Sequence, residues 1–264
     1  LYCIVVQENP MLLLWYGIFL RFDGFRRIYI RKYFKGGCDM EYEKRKVTVD
    51  QALYTASDIV HECVAASDIE WYMKNIRDHD AGLFMHSMRV AFLTAAHCCF
   101  TKRTPKETKA AATGALIHDV GKILIPKDIL EKPGQLTTEE YKIVKKHPEM
   151  GDAYLVTHQS TSKKISDMAR KIVLQHHENW DGSGYPQGLR EKEIDELASV
   201  VHICDVYDAL VSKRTYKEAF PREKAVHIML EDCGSKFSPI QLEYFLTWLS
   251  ATNEETLESR IRFW

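Results

Sequence analysis

Two short stretches of this chain combine histidine, carboxylate and lysine side chains. The first is His118-Asp119-Val120-Gly121-Lys122, and the second is His176-His177-Glu178, which leads into the glycine-rich turn from Asp181 to Pro186. Imidazole and carboxylate groups bind transition metals, and a nearby lysine can neutralise an anion. Such a set suits a site with more than one metal ion that cleaves a phosphate ester.

Further donor candidates are His86, His147 and Asp205. A single histidine in a helix is more often a core or surface residue than a ligand, so each position alone is weak. The sequence predicts that His118, His147 and the His176-His177 pair each end an apolar helix. Side chains from several helices can converge in the middle of a bundle, so we expect these donors to meet there.

The composition limits the classes of partner. The chain has 264 residues, of which 45% are hydrophobic, and a formal net charge of −1, so it can bury a sizeable core but has no strong field to attract nucleic acid or an anionic membrane. Its seven cysteines are an odd number without zinc-knuckle spacing, which indicates a reduced, cytoplasmic protein. The apolar run at 11–20 is too short to span a bilayer, so we expect no membrane segment and a small anionic ligand.

The pattern of hydrophobic residues predicts two parts. Residues 1–45 alternate in the manner of strands and form a small strand-rich (α/β) module for regulation or docking, whereas residues 46–264 show helical periods. The predicted fold class is therefore mainly α, a helical bundle with a small N-terminal module. Helices are predicted at 49–66, 68–78, 82–100, 105–118, 163–177, 195–213, 221–232 and 239–249. Another helix begins at the capping box of Thr137 and Glu140 and ends near His147, because Pro148 disfavours helical backbone there.

The stretch from about His86 to Phe237, a little over half of the chain, resembles the HD-GYP family of HD-type metal-dependent phosphohydrolases. The resemblance rests on motifs that occur in the family's order and spacing. These are His86-Ser87, Leu116 to Ile123, Ile125-Pro126, Leu130 to Gly134, His147-Pro148, His176 to Glu178, Asp181 to Pro186, and Asp205 to Leu210.

The resemblance implies an HD-type bundle and a set of metal ligands. They are His86, His118, Asp119, His147, His176, His177 and Asp205. Nitrogen and oxygen donors without thiolate suit two divalent ions, iron or manganese, with Asp119 between them. Some relatives hold a third ion through a glutamate that aligns with Gly82, which has no side chain to coordinate, so we predict a binuclear site.

The resemblance also implies roles around the metals. Asp119 and Lys122 are expected to be catalytic, with Lys122 stabilising a phosphate oxygen, and Arg214 and Lys217 are expected to contact the substrate's phosphates. Gly184, Tyr185 and Pro186 would shape the loop beside the histidines. Three further acids, Glu178, Asp181 and Asp208, would lie behind the ligands, Glu178 and Asp181 as acceptors that fix imidazole tautomers.

The implied activity is hydrolysis of cyclic di-GMP to 5′-pGpG, and onward to GMP, by a hydroxide that bridges two metals. Three alternatives stay open from the sequence alone. The chain could be a cyclic di-GMP receptor without turnover, a hydrolase of another cyclic dinucleotide or nucleotide, or a metal-binding scaffold. The resemblance associates the loop of Gly184, Tyr185 and Pro186, the GYP loop, with a signalling partner. Analogy with other bundles suggests a homodimer.

Overall fold

The computed structural model describes residues 48–158, 165–213 and 218–261. All of these belong to the second of the two units into which the chain divides, Val47–Trp264. The predicted strand-rich module lies outside the described residues, as do Arg214 and Lys217.

The described residues are mainly helical, which confirms the predicted class for this part of the chain. No β-strand occurs in these ranges, where the only pairings of that kind are two isolated bridges. The helices are α1 (Val49–Ala65), α2 (Ser67–His79), α3 (Ala81–Phe100), α4 (Pro105–Ile117), α5 (Lys127–Leu130), α6 (Thr138–Val144), α7 (His147–Thr157), α8 (Asp167–Gln175), α9 (Glu196–Val211), α10 (Arg222–Glu231), α11 (Pro239–Ala251) and α12 (Glu254–Ile261), with 3-10 helices at Val120–Leu124 and Glu191–Glu193.

Capping boxes fix the start of three helices. Thr48, Thr104 and Thr137 each accept a hydrogen bond from the backbone three residues later, and the side chain there bonds back to the threonine's N–H. A cap of this kind contributes about 1 kcal/mol to helix stability. The helix starts predicted at residue 105 and at the Thr137 capping box are thereby confirmed.

Helix α3 is the central helix of the bundle and carries His86 in its second turn. Its side chains are buried on nearly every face, and it packs against α1, α4 and α9. Its length and mean hydropathy of 1.2 would be enough for a membrane span, but 72% of the tested stretch is buried inside the protein. Burial of a large side chain such as Phe92 contributes about 1.5 to 3 kcal/mol, so α3 anchors the core around the candidate site.

The environment of His147 differs from the prediction. This residue does not end the preceding helix, which stops at Val144, but begins α7, a helix that the sequence pattern did not predict. The reason is that Pro148 both disfavours helix before it and fits the first turn of a new helix, where its missing N–H has no intrahelical partner to lose. The donor therefore projects from a helix start.

Candidate metal centre

Five segments of the bundle bring the seven predicted donors to one place. His86 comes from the second turn of α3, His118 and Asp119 follow the end of α4, His147 begins α7, His176 and His177 follow α8, and Asp205 lies in α9. Because these segments are far apart in sequence, only the packing of the helices unites them.

Asp119 is the centre of this arrangement. Its Oδ2 atom lies 3.3 Å from His118 Nε2 and 3.9 Å from His86 Nε2, whereas its Oδ1 atom lies 3.1 Å from His147 Nε2 and 3.7 Å from His176 Nε2. The two carboxylate oxygens thus face different histidines. A carboxylate in this position can serve two neighbouring ions at once.

The donor atoms form two groups that share Asp119. One group contains His86 and His118, the other contains His147, His176 and His177, and within each group the donor atoms lie within 4.8 Å of one another. The Oδ1 atom of Asp205 is 3.0 Å from His86 Nε2 and so adjoins the first group. All seven predicted ligands are therefore near the shared carboxylate.

Two buried atoms at this centre lack hydrogen-bond partners in the structure, His118 Nε2 and Asp119 Oδ1. The 3.1 Å approach of His147 Nε2 to Asp119 Oδ1 does not satisfy Oδ1, because the proton of a neutral His147 is on Nδ1, which faces the carbonyl of Val144 at 2.8 Å. A buried polar atom without a partner costs about 1 to 3 kcal/mol. The lone pairs of these nitrogen and oxygen atoms point to a common space with no proton between them, which is an arrangement that can bind divalent cations.

Backbone carbonyls set the tautomers of three histidines. The Nδ1 atoms of His118, His147 and His176 lie 2.7, 2.8 and 2.8 Å from the carbonyl oxygen three residues earlier and donate to it as neutral rings. Each Nε2 atom is then left with its lone pair toward Asp119. This is the arrangement that metal-binding histidines use.

His86 is oriented by a carboxylate. Its Nδ1 atom lies 2.7 Å from Asp208 Oδ2, and Arg89 grips the same carboxylate with Nε at 2.6 Å and Nη2 at 3.0 Å. Ser212 Oγ donates to the remaining oxygen at 3.0 Å. The structure thus places Asp208 behind His86, a predicted ligand. Arg89 was missed, although its spacing of three residues from His86 puts both on one helix face.

Burial and charge shift the pKa values of these groups in opposite directions. Burial acts to lower the pKa of His86, but hydrogen bonds and charges from Asp205 and Asp208 more than offset it and raise the pKa to about 9. Burial lowers the pKa of His176 to about 4. Burial alone would raise the pKa of Asp119, yet the charge of Lys122 and the neighbouring His118 hold it well below its usual range. At neutral pH the centre without a bound ion thus holds an ionised Asp119 beside a neutral His176, whereas His86 carries a proton.

Arg89 offers a test of this support. Replacing Arg89 with leucine should remove two of the hydrogen bonds that fix the Asp208 carboxylate, so that it can turn from His86. We expect the affinity for a divalent ion to fall about tenfold, since ligand-orienting groups typically carry that much. Competition with a fluorescent chelator would measure the affinity. Arg89→Lys, which keeps the charge without the two-pronged contact, should give an intermediate value. A folded Arg89→Leu protein with unchanged affinity would contradict the role.

Lys122 lies at the edge of the centre. Its ammonium group is 2.5 Å from Asp119 Oδ2, and its side chain is 24% exposed, so it stands between the buried carboxylate and solvent. The 3-10 helix that carries it packs closely on α7, because an added Cβ on Gly121 would lie 2.0 Å from the carbonyl oxygen of His147. A glycine is needed at this contact.

Two acidic residues have other partners than expected. The carboxylate of Glu178 accepts from the backbone N–H groups of Gln187 at 2.7 Å and Leu189 at 3.0 Å, so it holds the following loop instead of an imidazole. Asp181 is exposed, and its Oδ1 accepts from Ser183 N at 2.9 Å. Their proposed role as acceptors for histidine tautomers is corrected, because backbone N–H groups occupy both carboxylates: those of residues nine and eleven positions later for Glu178, and that of Ser183 for Asp181.

The loop held by Glu178 packs against the histidines. The Tyr185 ring stacks on His177 with centroids 4.8 Å apart and planes at 28°, and its backbone N–H donates to the His177 carbonyl at 3.1 Å. A Cβ on Gly184 would meet Asn179 N at 2.2 Å, so this position also needs glycine. Gly184, Tyr185 and Pro186 thus lie where a loop-shaping role would place them.

Neither Asp80 nor Asp208 is free to hold a third ion in place of a glutamate at Gly82. Asp80 is the N-cap of α3, and its Oδ1 accepts from Gly82 N at 2.7 Å and Leu83 N at 3.1 Å. Asp208 is held by Arg89 and His86. Both carboxylates therefore already have structural partners.

His202 is a second residue that the sequence reasoning missed. It lies one helical turn before Asp205 in α9, and its Nδ1 atom is 2.6 Å from the carbonyl oxygen of His176. The contact ties α9 to the turn that presents both adjacent histidines. The spacing of three residues from Asp205 was the signal that could have indicated it.

Comparisons with known proteins agree with this geometry. A family model described as an HD domain matches residues 70–239. The chain is 42% identical over 149 residues to a cyclic di-GMP phosphodiesterase of Vibrio cholerae serotype O1, a match that covers 55% of this chain and 30% of that protein. It is 34% identical over 161 residues to 3′3′-cGAMP-specific phosphodiesterase 2 of the same organism, covering 61% of this chain and 30% of the relative. The matches thus span less than a third of these two relatives.

A solved structure has the same fold. An HDG"Y"P protein from Bdellovibrio bacteriovorus superposes with a TM-score of 0.51 over 83% of this chain and 75% of its own, at 21% sequence identity. At this identity the likeness concerns the fold alone.

Proposed function

Because this chain belongs to the HD domain family, in which its motifs mark the HD-GYP branch, we propose that it is a metal-dependent phosphodiesterase that hydrolyses cyclic di-GMP. The observation that carries the proposal is the position of Asp119, whose two oxygens face two separate groups of histidines. This supports a binuclear centre. Donors that are nitrogen and oxygen, without thiolate, favour iron or manganese.

The residues that would hold the ions are His86, His118, Asp119 and Asp205 on one side and Asp119, His147, His176 and His177 on the other. Bound ions supply a lowered pKa for water and positive charge that polarises the phosphate. The protein supplies the orientation, through carbonyl and carboxylate contacts that keep each Nε2 lone pair facing the centre. Because these donors are largely buried, few water molecules could compete with them for the ions.

In the proposed reaction, water attacks a phosphodiester phosphorus. A new O–P bond forms, the bond to the 3′ oxygen breaks, and that oxygen receives a proton, which gives 5′-pGpG; a second round would give GMP. Lys122 lies beside Asp119 at the solvent edge and can contact an equatorial oxygen as negative charge develops. Arg214 and Lys217 are proposed to hold the substrate's phosphates.

A different cyclic dinucleotide is the second candidate substrate, because one relative is named for 3′3′-cGAMP. The proposal also includes a cytoplasmic location, which is in keeping with the free thiols of the five cysteines in the described ranges. A homodimer, or a signalling partner at the GYP loop, belongs to the same proposal.

The test is direct turnover. The purified full chain, loaded anaerobically with Fe²⁺ or Mn²⁺, would be incubated with cyclic di-GMP and with 3′3′-cGAMP, and products would be separated by chromatography. Linear dinucleotide from cyclic di-GMP supports the proposal, and preference for 3′3′-cGAMP selects the second candidate. Tight binding without product would indicate a receptor. Neither binding nor product from either compound would refute the function.

A further inference from the structure

Lys145 differs from the other lysines near the candidate centre. Lys122 is paired with Asp119 and Lys132 is paired with Glu140, so the charge of each is neutralised by a carboxylate. The ammonium group of Lys145 instead lies over aromatic rings, 4.7 Å from the Tyr185 centroid and 5.8 Å from the Tyr141 centroid. In the part of the chain described here, no acidic side chain forms an ion pair with it.

The position of Lys145 ties it to the proposed metal ligands. It caps the end of α6, two residues before His147, and is half-buried. The ring of Tyr185, which Lys145 contacts, also stacks on the ring of His177. The lysine therefore stands one aromatic ring away from a proposed ligand, on the side where half-exposed Tyr141 borders solvent.

Aromatic contacts hold a cation in place without cancelling its charge. The ring face attracts the ammonium group electrostatically, but the net charge of the cluster stays positive. An ammonium that is held and partly desolvated in this way is prepared for an anion, because hydrogen bonds to a charged partner are stronger than neutral ones. Because Lys145 lies one aromatic ring away from His177, a ligand whose anionic group binds this lysine would also extend to the histidines of the candidate centre.

We infer that Lys145 binds the second phosphodiester of a cyclic dinucleotide while the first lies at the metal centre. The inference rests on the proposed function, because such a substrate carries two negatively charged phosphodiesters in one ring, and only one can occupy the reacting position. Lys122 is close enough to serve the reacting group, whereas Lys145 lies beyond Tyr185. This makes Lys145 a determinant of substrate class, since it favours ligands with two phosphates over those with one.

The experiment compares two substrates in the metal-loaded protein. Cyclic di-GMP has two phosphodiesters, and bis(4-nitrophenyl) phosphate has one. For Lys145→Met we expect KM for cyclic di-GMP to rise about tenfold, the equivalent of about 1.4 kcal/mol, with kcat within about threefold. Hydrolysis of bis(4-nitrophenyl) phosphate should be unchanged. Lys146→Met is the matched control, because that neighbouring side chain is exposed, and Lys145→Arg should keep most of the affinity.

A binding measurement that does not depend on turnover completes the test. The Kd for a slowly hydrolysed phosphorothioate analogue of cyclic di-GMP would be measured calorimetrically on the metal-loaded protein, with folding checked by circular dichroism. The inference is overturned if Lys145→Met behaves like Lys146→Met, or if it loses both substrates in equal proportion. Failure of the proposed function is separate, since it would appear in the wild-type protein as neither binding nor cleavage of a cyclic dinucleotide, and the role of Lys145 would then fall with it.

Discussion

Replacing Asp119 with alanine is expected to abolish metal binding by both groups of donors and to lower phosphodiester hydrolysis at least about a thousandfold, the equivalent of about 4 kcal/mol in the transition state. The reason is that each oxygen of this carboxylate faces a different group of histidines. No other side chain among the described residues is common to both groups. Metal content per chain and kcat/KM for cyclic di-GMP would measure the two effects.

Two controls separate loss of the centre from loss of the fold. Asp119→Asn keeps the shape but removes the charge, so it should also lose metal. Asp78→Ala removes an exposed carboxylate that pairs with Lys74, and it should keep full metal content and activity. Because the alanine variant replaces a buried charge, it should remain folded. Full hydrolysis by Asp119→Ala would rule out the mechanism.

Replacing Gly121 with alanine is expected to lower the free energy of unfolding by about 3 kcal/mol, the upper end of the usual cost of overpacking. The added Cβ would lie 2.0 Å from the His147 carbonyl oxygen and 2.6 Å from the Gly151 N atom. Both atoms are backbone, so no side chain can rotate away, and the 3-10 helix must move from α7. Metal binding by the His147 group should fall as well. Urea unfolding and metal analysis measure these changes.

Gly82→Ala is the matched control for this substitution. In the first turn of α3 its new methyl group would approach only the Asp80 side chain, at 3.1 Å. We expect its unfolding free energy to stay within about 1 kcal/mol of the wild type, since alanine is the better helix former. If Gly121→Ala were as stable as this control, the contact between the 3-10 helix and α7 would not require a glycine.

Local signals predicted most of the helices but not all of their ends. The capping box predicted at Thr137 and Glu140 is present in the structure, and α4 begins at the predicted residue 105. Helix α7 escaped prediction because a proline both ends one helix and starts another, and periodicity cannot tell which role applies. The error therefore concerned the helix that carries His147, which is the first residue of α7. His147 still lies with Asp119, His176 and His177.

The donors were easier to predict than their supports. The resemblance to the HD-GYP family implied the histidines of the two groups that share Asp119, and Asp205 beside them. Arg89 and His202 were missed because their function depends on partners more than one hundred and more than twenty residues away, respectively, which only packing brings near. Glu178 was assigned to an imidazole for its proximity in sequence, yet its carboxylate accepts from the backbone N–H groups of Gln187 and Leu189, nine and eleven residues later.

The carbonyl contacts of His118, His147 and His176 have a consequence for which cation the protein accepts. Because each ring is fastened to its own chain segment, the nitrogen atoms form a stiff frame that cannot expand around a larger ion. Calcium prefers six to eight oxygen atoms at about 2.3 to 2.6 Å and gains little from imidazole. Discrimination against calcium would therefore be built into the bundle before any ion arrives.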